Sequence, residues 1–188
     1  MLNTVIRLNK TMKTSKILFI IFLIYSNVTF AQSIEFEKVI YADSSAKKGV
    51  LYNRMNTRLI EFIGNELVYE KSIIQANKNL GIIKFKQSIE YDPKGNRSDD
   101  GDINYTVNVF FKDGRFKIIL NNIYHVGKGI SLYNITDDLE YPHEKRSFLK
   151  FRKKAWIELK EYVDLNMPKL FKSYESLILV PTEQEEDW

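Results

Sequence analysis

The sequence predicts an α+β two-layer sandwich: an antiparallel sheet of about five strands with two helices on one face, in the order β-α-β-β-β-β-α. Three observations carry this. Lys112-Asp113-Gly114-Arg115 joins two long alternating runs through Asp-Gly, the residue pair that supplies the positive φ angles of a type I′ hairpin turn. Two segments, 46–63 and 145–178, repeat apolar residues at helical spacing. Between them, strand-like runs follow one another without a helical period. A meander of this kind needs one face covered, and the two amphipathic helices supply the cover.

Taken in order, Ile34 to Tyr41 alternates as a strand, and Asp43-Ser44-Ser45 offers oxygens to cap the next element. Leu51, Tyr52, Met55, Leu59, Phe62 and Ile63 fall on one face of a helix over Ala46 to Ile63, with Gly64 as its C-terminal cap. Strands are predicted at Tyr69–Ala76, Ile82–Tyr91, Ile103–Lys112 and Arg115–Tyr124. If Asp113 and Gly114 are the turn, Phe111 pairs with Phe116, Val109 with Ile118 and Val107 with Leu120, all on the core face. Phe110 with Lys117, Asn108 with Ile119 and Thr106 with Asn121 then share the opposite face. Residues 92–102 read as a polar connection, and 126–142 as a loop without a period. A second helix starts near Lys145, with Phe148, Phe151, Ala155, Trp156, Leu159, Tyr162 and Val163 on its apolar face. Pro168 is expected to kink or end it, and Leu170, Phe171, Tyr174, Leu177 and Ile178 to resume it. Thr182 to Trp188 is an acidic tail, predicted to be disordered, which leaves one domain over 32–180.

Charge separates the chain into two parts. It holds 28 Lys+Arg against 24 Asp+Glu, but Arg7, Lys10, Lys13 and Lys16 precede residue 32 and no acid does, so the remainder balances 24 against 24. A neutral domain excludes the net basic character of a general nucleic-acid binder. The basic segment itself has a secretory layout: Met12-Lys13-Thr14-Ser15-Lys16 as the start, an apolar run from Ile17 to Tyr25, and Thr29-Phe30-Ala31 before a cut at Gln32. The run is shorter than the roughly 20 residues of a spanning helix. Residues 1–31 are thus expected to be a signal peptide and the product to be periplasmic or extracellular, with no membrane span once the leader is removed. With no cysteine, the fold rests on its core alone.

The motifs of familiar chemistries are missing or malformed. His125 and His143 are the two histidines, and His143-Glu144-Lys145-Arg146-Ser147 lacks the second histidine of a zinc helix. His125 reads as a strand-end residue. Val126-Gly127-Lys128-Gly129-Ile130-Ser131 lacks phosphate-loop spacing. Asp99-Asp100-Gly101-Asp102 lacks the order of a calcium loop and reads as a solvated tip. Nothing brings two of Glu35, Glu37, Asp137 and Asp138 to a glycosidase separation. No catalytic, cofactor or metal residue is therefore assigned. Two features stand out: Asn108, Phe110, Lys117 and Ile119 on the face away from the helices, as an interaction surface, and Arg152 inside the apolar stripe of the second helix, as one half of a buried ion pair.

Phe36-Glu37-Lys38-Val39-Ile40, Leu80-Gly81-Ile82-Ile83-Lys84, and Lys112 to Lys117 leading to Asn121-Asn122-Ile123-Tyr124-His125 resemble a family of exported Bacteroidetes proteins, a domain of unknown function with a fold like that of the TATA-box-binding protein. The resemblance spans about Phe36 to His125. It implies the fold and export, and no activity; DNA binding does not follow from a shared fold. The expected role is a non-catalytic exported binding module using the open sheet face or the 126–142 loop. The rivals are a small extracytoplasmic hydrolase assembled from His125, His143 and carboxylates, and a self-associating structural envelope protein.

Overall fold

The Asp113-Gly114 turn sets the sheet. A computed structural model describes residues 32–93, 97–139, 141 and 149–181, and the side chains of 149–151 are not described. Its elements are β1 (Phe36–Tyr41), α1 (Lys48–Ile63), α2 (Glu66–Ser72), β2 (Ile73–Asn77), β3 (Ile82–Tyr91), β4 (Gly101–Lys112), β5 (Arg115–Gly127), β6 (Tyr133–Asn134) and α3 (Leu149–Leu179). The leader, the 182–188 tail and the helix start expected near Lys145 lie outside the described residues. The sheet is antiparallel, in the order β1-β5-β4-β3-β2, with β6 beside β5.

The hairpin has the predicted register: Phe111 opposite Phe116, Val109 opposite Ile118 and Val107 opposite Leu120. All six are buried. The strands run longer than expected, to Gly127 on β5, because a bulge absorbs one extra residue. Asn104 pairs with Tyr124 and Thr106 with Asn121, so Asn122 and Ile123 together face Tyr105. Asn122 takes φ 51°, a conformation asparagine tolerates better than most residues. The parity of β5 changes there. Phe116, Ile118 and Leu120 are core on one side of it, Ile123 and His125 on the other.

Leu51, Tyr52, Met55 and Leu59 of α1 and Ala155, Trp156, Leu159, Val163, Met167, Phe171, Tyr174 and Ile178 of α3 cover the core face. Each large buried side chain contributes roughly 1.5–3 kcal/mol. Tyr52 meets Phe111 edge-on at 5.8 Å, and Tyr174 meets Phe85 at 5.9 Å. The Tyr105 and Tyr174 hydroxyls share a buried hydrogen bond of 3.0 Å between β4 and α3.

Several local expectations are corrected. The segment 69–76 is not one strand: Asn65 caps a short helix by accepting from the Val68 N–H at 2.9 Å, and β2 begins only at Ile73. That capping signal outweighs the β-propensity of Tyr69. The described part of the expected 126–142 loop is a loop apart from the end of β5 and the two residues of β6, but it is packed down, with Leu132, Ile135 and Tyr141 buried and Ser33 bridged to Thr136. Pro168 does not end α3, which runs for 31 residues. The proline is exposed, and the helix continues through it.

The helix ends are capped from other elements. Asp43 accepts from Ser45 within its own turn instead of capping α1. The first amide of α1, Lys48 N–H, instead donates to Asp113 Oδ1 at 2.7 Å, and Gly114 N–H donates to the Ala46 carbonyl at 2.8 Å. The last turn of α3 has no basic residue of its own. Arg58 of α1 donates to the carbonyls of Leu177, Val180 and Pro181, and Arg54 to those of Ile178 and Leu179. Two cations thus satisfy orphan carbonyls at the negative end of the helix dipole. Replacing Asp113 by Ala should lower the unfolding free energy by about 1 kcal/mol, while Asp113→Asn, which keeps an acceptor and the turn preference, stays within about 0.5 kcal/mol. Urea melts of the two variants check this.

Candidate functional site

Inter-strand register turns the second face of the sheet into a grid. One row runs Ile82, Phe110, Lys117, Val39 across β3, β4, β5 and β1. The next runs Lys84, Asn108, Ile119, Glu37, and the third begins Lys86, Thr106, Asn121. Asn121 donates from Nδ2 to Glu35 Oε2 at 3.3 Å, which completes the third row. Among the described residues, no helix packs on this face.

One row of the face is apolar apart from Lys117, and the other two are polar apart from Ile119. Phe110, Lys117 and Ile119 are half-buried, and Val39 is 42% exposed. Lys117 Nζ sits 6.0 Å from the Phe110 ring centroid and 3.1 Å from Glu37 Oε2. A shallow pocket of about 160 Å³ opens here, lined by Val39, Phe110, Lys112, Arg115, Phe116 and Lys117. Asn108 and Thr106 are nearly covered, being short side chains flanked in register by lysines on β3 and by Ile119 and Asn121 on β5. Asn108 Nδ2 donates to Asn121 Oδ1 at 3.0 Å. The four residues singled out from sequence therefore lie together. Ile82, Lys84, Lys86, Glu35, Glu37 and Val39 complete the surface, and the one-hairpin register could not reach them.

Charge is divided across this surface. Lys84 and Lys86 stand on β3, and Glu35 and Glu37 stand at β1, on opposite sides of the apolar centre, while Lys112 and Arg115 add positive charge at the turn end of β4 and β5.

A second polar cluster occupies the other end of the sheet, and its role is structural. Arg97 pairs with both oxygens of Asp99, at 2.9 Å each, and with Glu158 of α3. The hydrogen bond from Arg97 holds the Glu158 carboxyl below its ordinary range. Asp99 is fully buried, so the expected solvated tip is instead an anchored loop. His125 is also fully buried, and both ring nitrogens are used: Nδ1 accepts from Leu132 N–H at 3.1 Å, and Nε2 lies 2.9 Å from the Asp99 carbonyl. With Nδ1 accepting, Nε2 carries the proton and donates. Tyr91 packs edge-on against His125 at 5.5 Å, its hydroxyl buried without a hydrogen-bond partner among the described residues. Burial, then the charge on Asp99, pushes Tyr91 up to about 12.

The glycine-rich run beside this cluster is a packing device. Gly101 faces Gly127, and a Cβ on either would fall 2.0 Å from the Val126 carbonyl oxygen or 2.2 Å from that of Ile130. Gly129 N–H and Ile130 N–H donate to the Ser98 carbonyl, closing the loop on the 97–100 turn. His125 is sealed in by these contacts, and His143 lies outside the described residues. No group of metal-capable side chains occurs among the described residues. Arg152 is half-buried, not fully buried, and lies over the Tyr141 ring at 6.0 Å. Its described neighbour is aromatic; the arginine tied to carboxylates is Arg97, which arrives from a loop and not from the helix.

An open antiparallel sheet with helices on one face and a polar-apolar platform on the other defines the class: an open-faced α+β sandwich. No family model matches the chain, and no curated protein matches it. A solved structure of a DUF4468 family protein from Bacteroides ovatus superposes with TM-score 0.52 at 14% identity, covering 80% of this chain and 89% of that one. A TBP-like protein from Parabacteroides distasonis gives TM-score 0.49 at 15% identity, covering 76% and 93%. The likeness to the first is one of fold alone.

Burial depresses the pKa of His125 from 6.5, ahead of the opposing effects of its bond to the Asp99 carbonyl and the charges on Asp99 and Asp102. A depressed folded value means stability is present above 6.5 and is lost as pH falls, because the unfolded chain takes a proton the folded one refuses. Unfolding free energy should therefore decline between about pH 7 and pH 5, and His125→Gln should show a shallower decline in the same urea titrations.

Proposed function

We propose that the chain is a non-catalytic, exported binding module whose open sheet face is the contact surface. The observation that carries this is the row Ile82, Phe110, Lys117, Val39, three apolar side chains and one lysine aligned across four strands and bordered by charge, on a face free of helices among the described residues. Export is supported by the leader at 1–31 with its apolar run and small residue at Ala31. The 126–142 segment is the weaker candidate surface, because Leu132, Ile135 and Tyr141 are turned into the core. Of the two histidines a hydrolase would draw on, His125 has both nitrogens committed to backbone groups, and His143 lies outside the described residues.

A photo-crosslinking residue at position 110, introduced in the producing cells, should capture a protein adduct. The same residue at exposed Glu161 on the outer surface of α3 should not. Equal capture at the two positions, or none at 110, would contradict the proposal. Phe110→Ser with Ile119→Ser should remove the binding while leaving the melting temperature within a few degrees.

A further inference from the structure

Building on the binding-module reading, we propose that the partner on the open face is a second copy of this chain, docked sheet to sheet about a two-fold axis parallel to the strands. The argument is charge complementarity fixed by register. Such an axis between β4 and β5 keeps each row opposite itself and reverses its order. Lys84 then faces Glu37 of the other copy, and Lys86 faces Glu35. In the apolar row Phe110 meets Lys117, repeating between copies the cation-over-ring contact present within one, and Ile82 meets Val39.

The alternative two-fold axis, perpendicular to the strands, places acids on acids and bases on bases. Over these three rows like-charge juxtaposition disfavours it, so they select the first arrangement. Packed sheets lie about 10 Å apart, a gap that one lysine and one glutamate side chain together span. Aligned packing turns the strands by about 30°, which displaces the charged columns by only about 4 Å at their distance from the axis, within the reach of flexible side chains. Four strands and three rows give a patch of roughly 20 by 20 Å, or about 800 Å² over both copies, in the range of weak, transient contacts; Lys112 and Arg115, one row nearer the turn, meet Arg115 and Lys112 of the other copy at its wet rim, where repulsion opposes pairing only weakly. The dimer is accordingly weak, reversible and sensitive to salt.

Sedimentation equilibrium of the purified protein, carried to high micromolar concentration, tests this with charge reversals. Wild type should dimerise, more weakly as NaCl rises from about 0.05 to 0.5 M. Glu37→Lys and Lys84→Glu should each weaken dimerisation about tenfold or more. An equimolar mixture of the two single variants should pair again within about threefold of wild type, because each lysine at 37 then meets a glutamate at 84 while the other contact stays native. Circular dichroism melts confirm folding, and Glu35→Lys with Lys86→Glu serve as the second pair if either variant melts early. A wild-type monomer throughout, or a dimer indifferent to all four reversals, overturns the proposal. The crosslink at position 110 separates the two readings. An adduct of twice the chain mass supports the dimer. An adduct with another protein alone rejects it and leaves the binding module standing, and no adduct rejects both.

Discussion

Over the length of β4 and β5 every core side chain has to stay on one side of the sheet, and the extra residue at Asn122 is what lets this happen. The two strands run 12 and 13 residues. Without the bulge, the alternation that buries Phe116, Ile118 and Leu120 would turn Ile123 and His125 outward, and a one-residue slip exchanges the faces of a whole strand. With it, one face is apolar from Phe111 to Ile103, and α1 and α3 have a continuous surface to cover. The other face inherits whatever is left at the alternate positions, which is the platform of Phe110, Lys117, Asn108 and their neighbours.

The same hairpin reaches beyond the sheet. Its turn caps α1 through Asp113, and α1 in turn caps α3 through Arg54 and Arg58. Each contact satisfies backbone groups that a helix leaves unpaired at its ends. The three elements therefore fix one another in position, on the side of the sheet away from the platform. At the far end the 97–100 turn, the 127–131 loop and His125 lock into one another, where buried polar groups without partners would be costly. His125, Asp99 and the glycines are thereby accounted for as parts of the scaffold.

What the sequence made legible was the content of local, periodic signals. Asp113-Gly114 supplied a hairpin and its register, and from that register came Asn108, Phe110, Lys117 and Ile119. The apolar spacing of Leu51 to Leu59 and of Ala155 to Ile178 supplied the cover. The remainder depends on contacts between residues far apart in the chain. No local pattern pairs Glu37 with Ile119 or Lys84 with Asn108, so the divided charge of the platform was invisible. Asp113 capping Lys48, 65 residues away, is of the same kind. Helix α2 was misread because Tyr69 and Ile73-Ile74 favour strands, while the decisive signal was the cap at Asn65. Arg152 fell in the apolar stripe by angle alone, and its place over Tyr141 depends on how a separate segment crosses the helix.

The chain contains no cysteine, so single cysteines introduced along β5 report solvent access without background. Thiol labelling at positions 117 to 120 and 123 to 126, in protein dilute enough to be monomeric, measures directly which way each residue faces. The account predicts that 117 and 119 react while 118 and 120 are protected, and that the phase then reverses across Asn122, with 124 and 126 reactive and 123 and 125 protected. An alternation that runs unbroken through Asn122, or protection at 117 and 119 equal to that at 118 and 120, would contradict it.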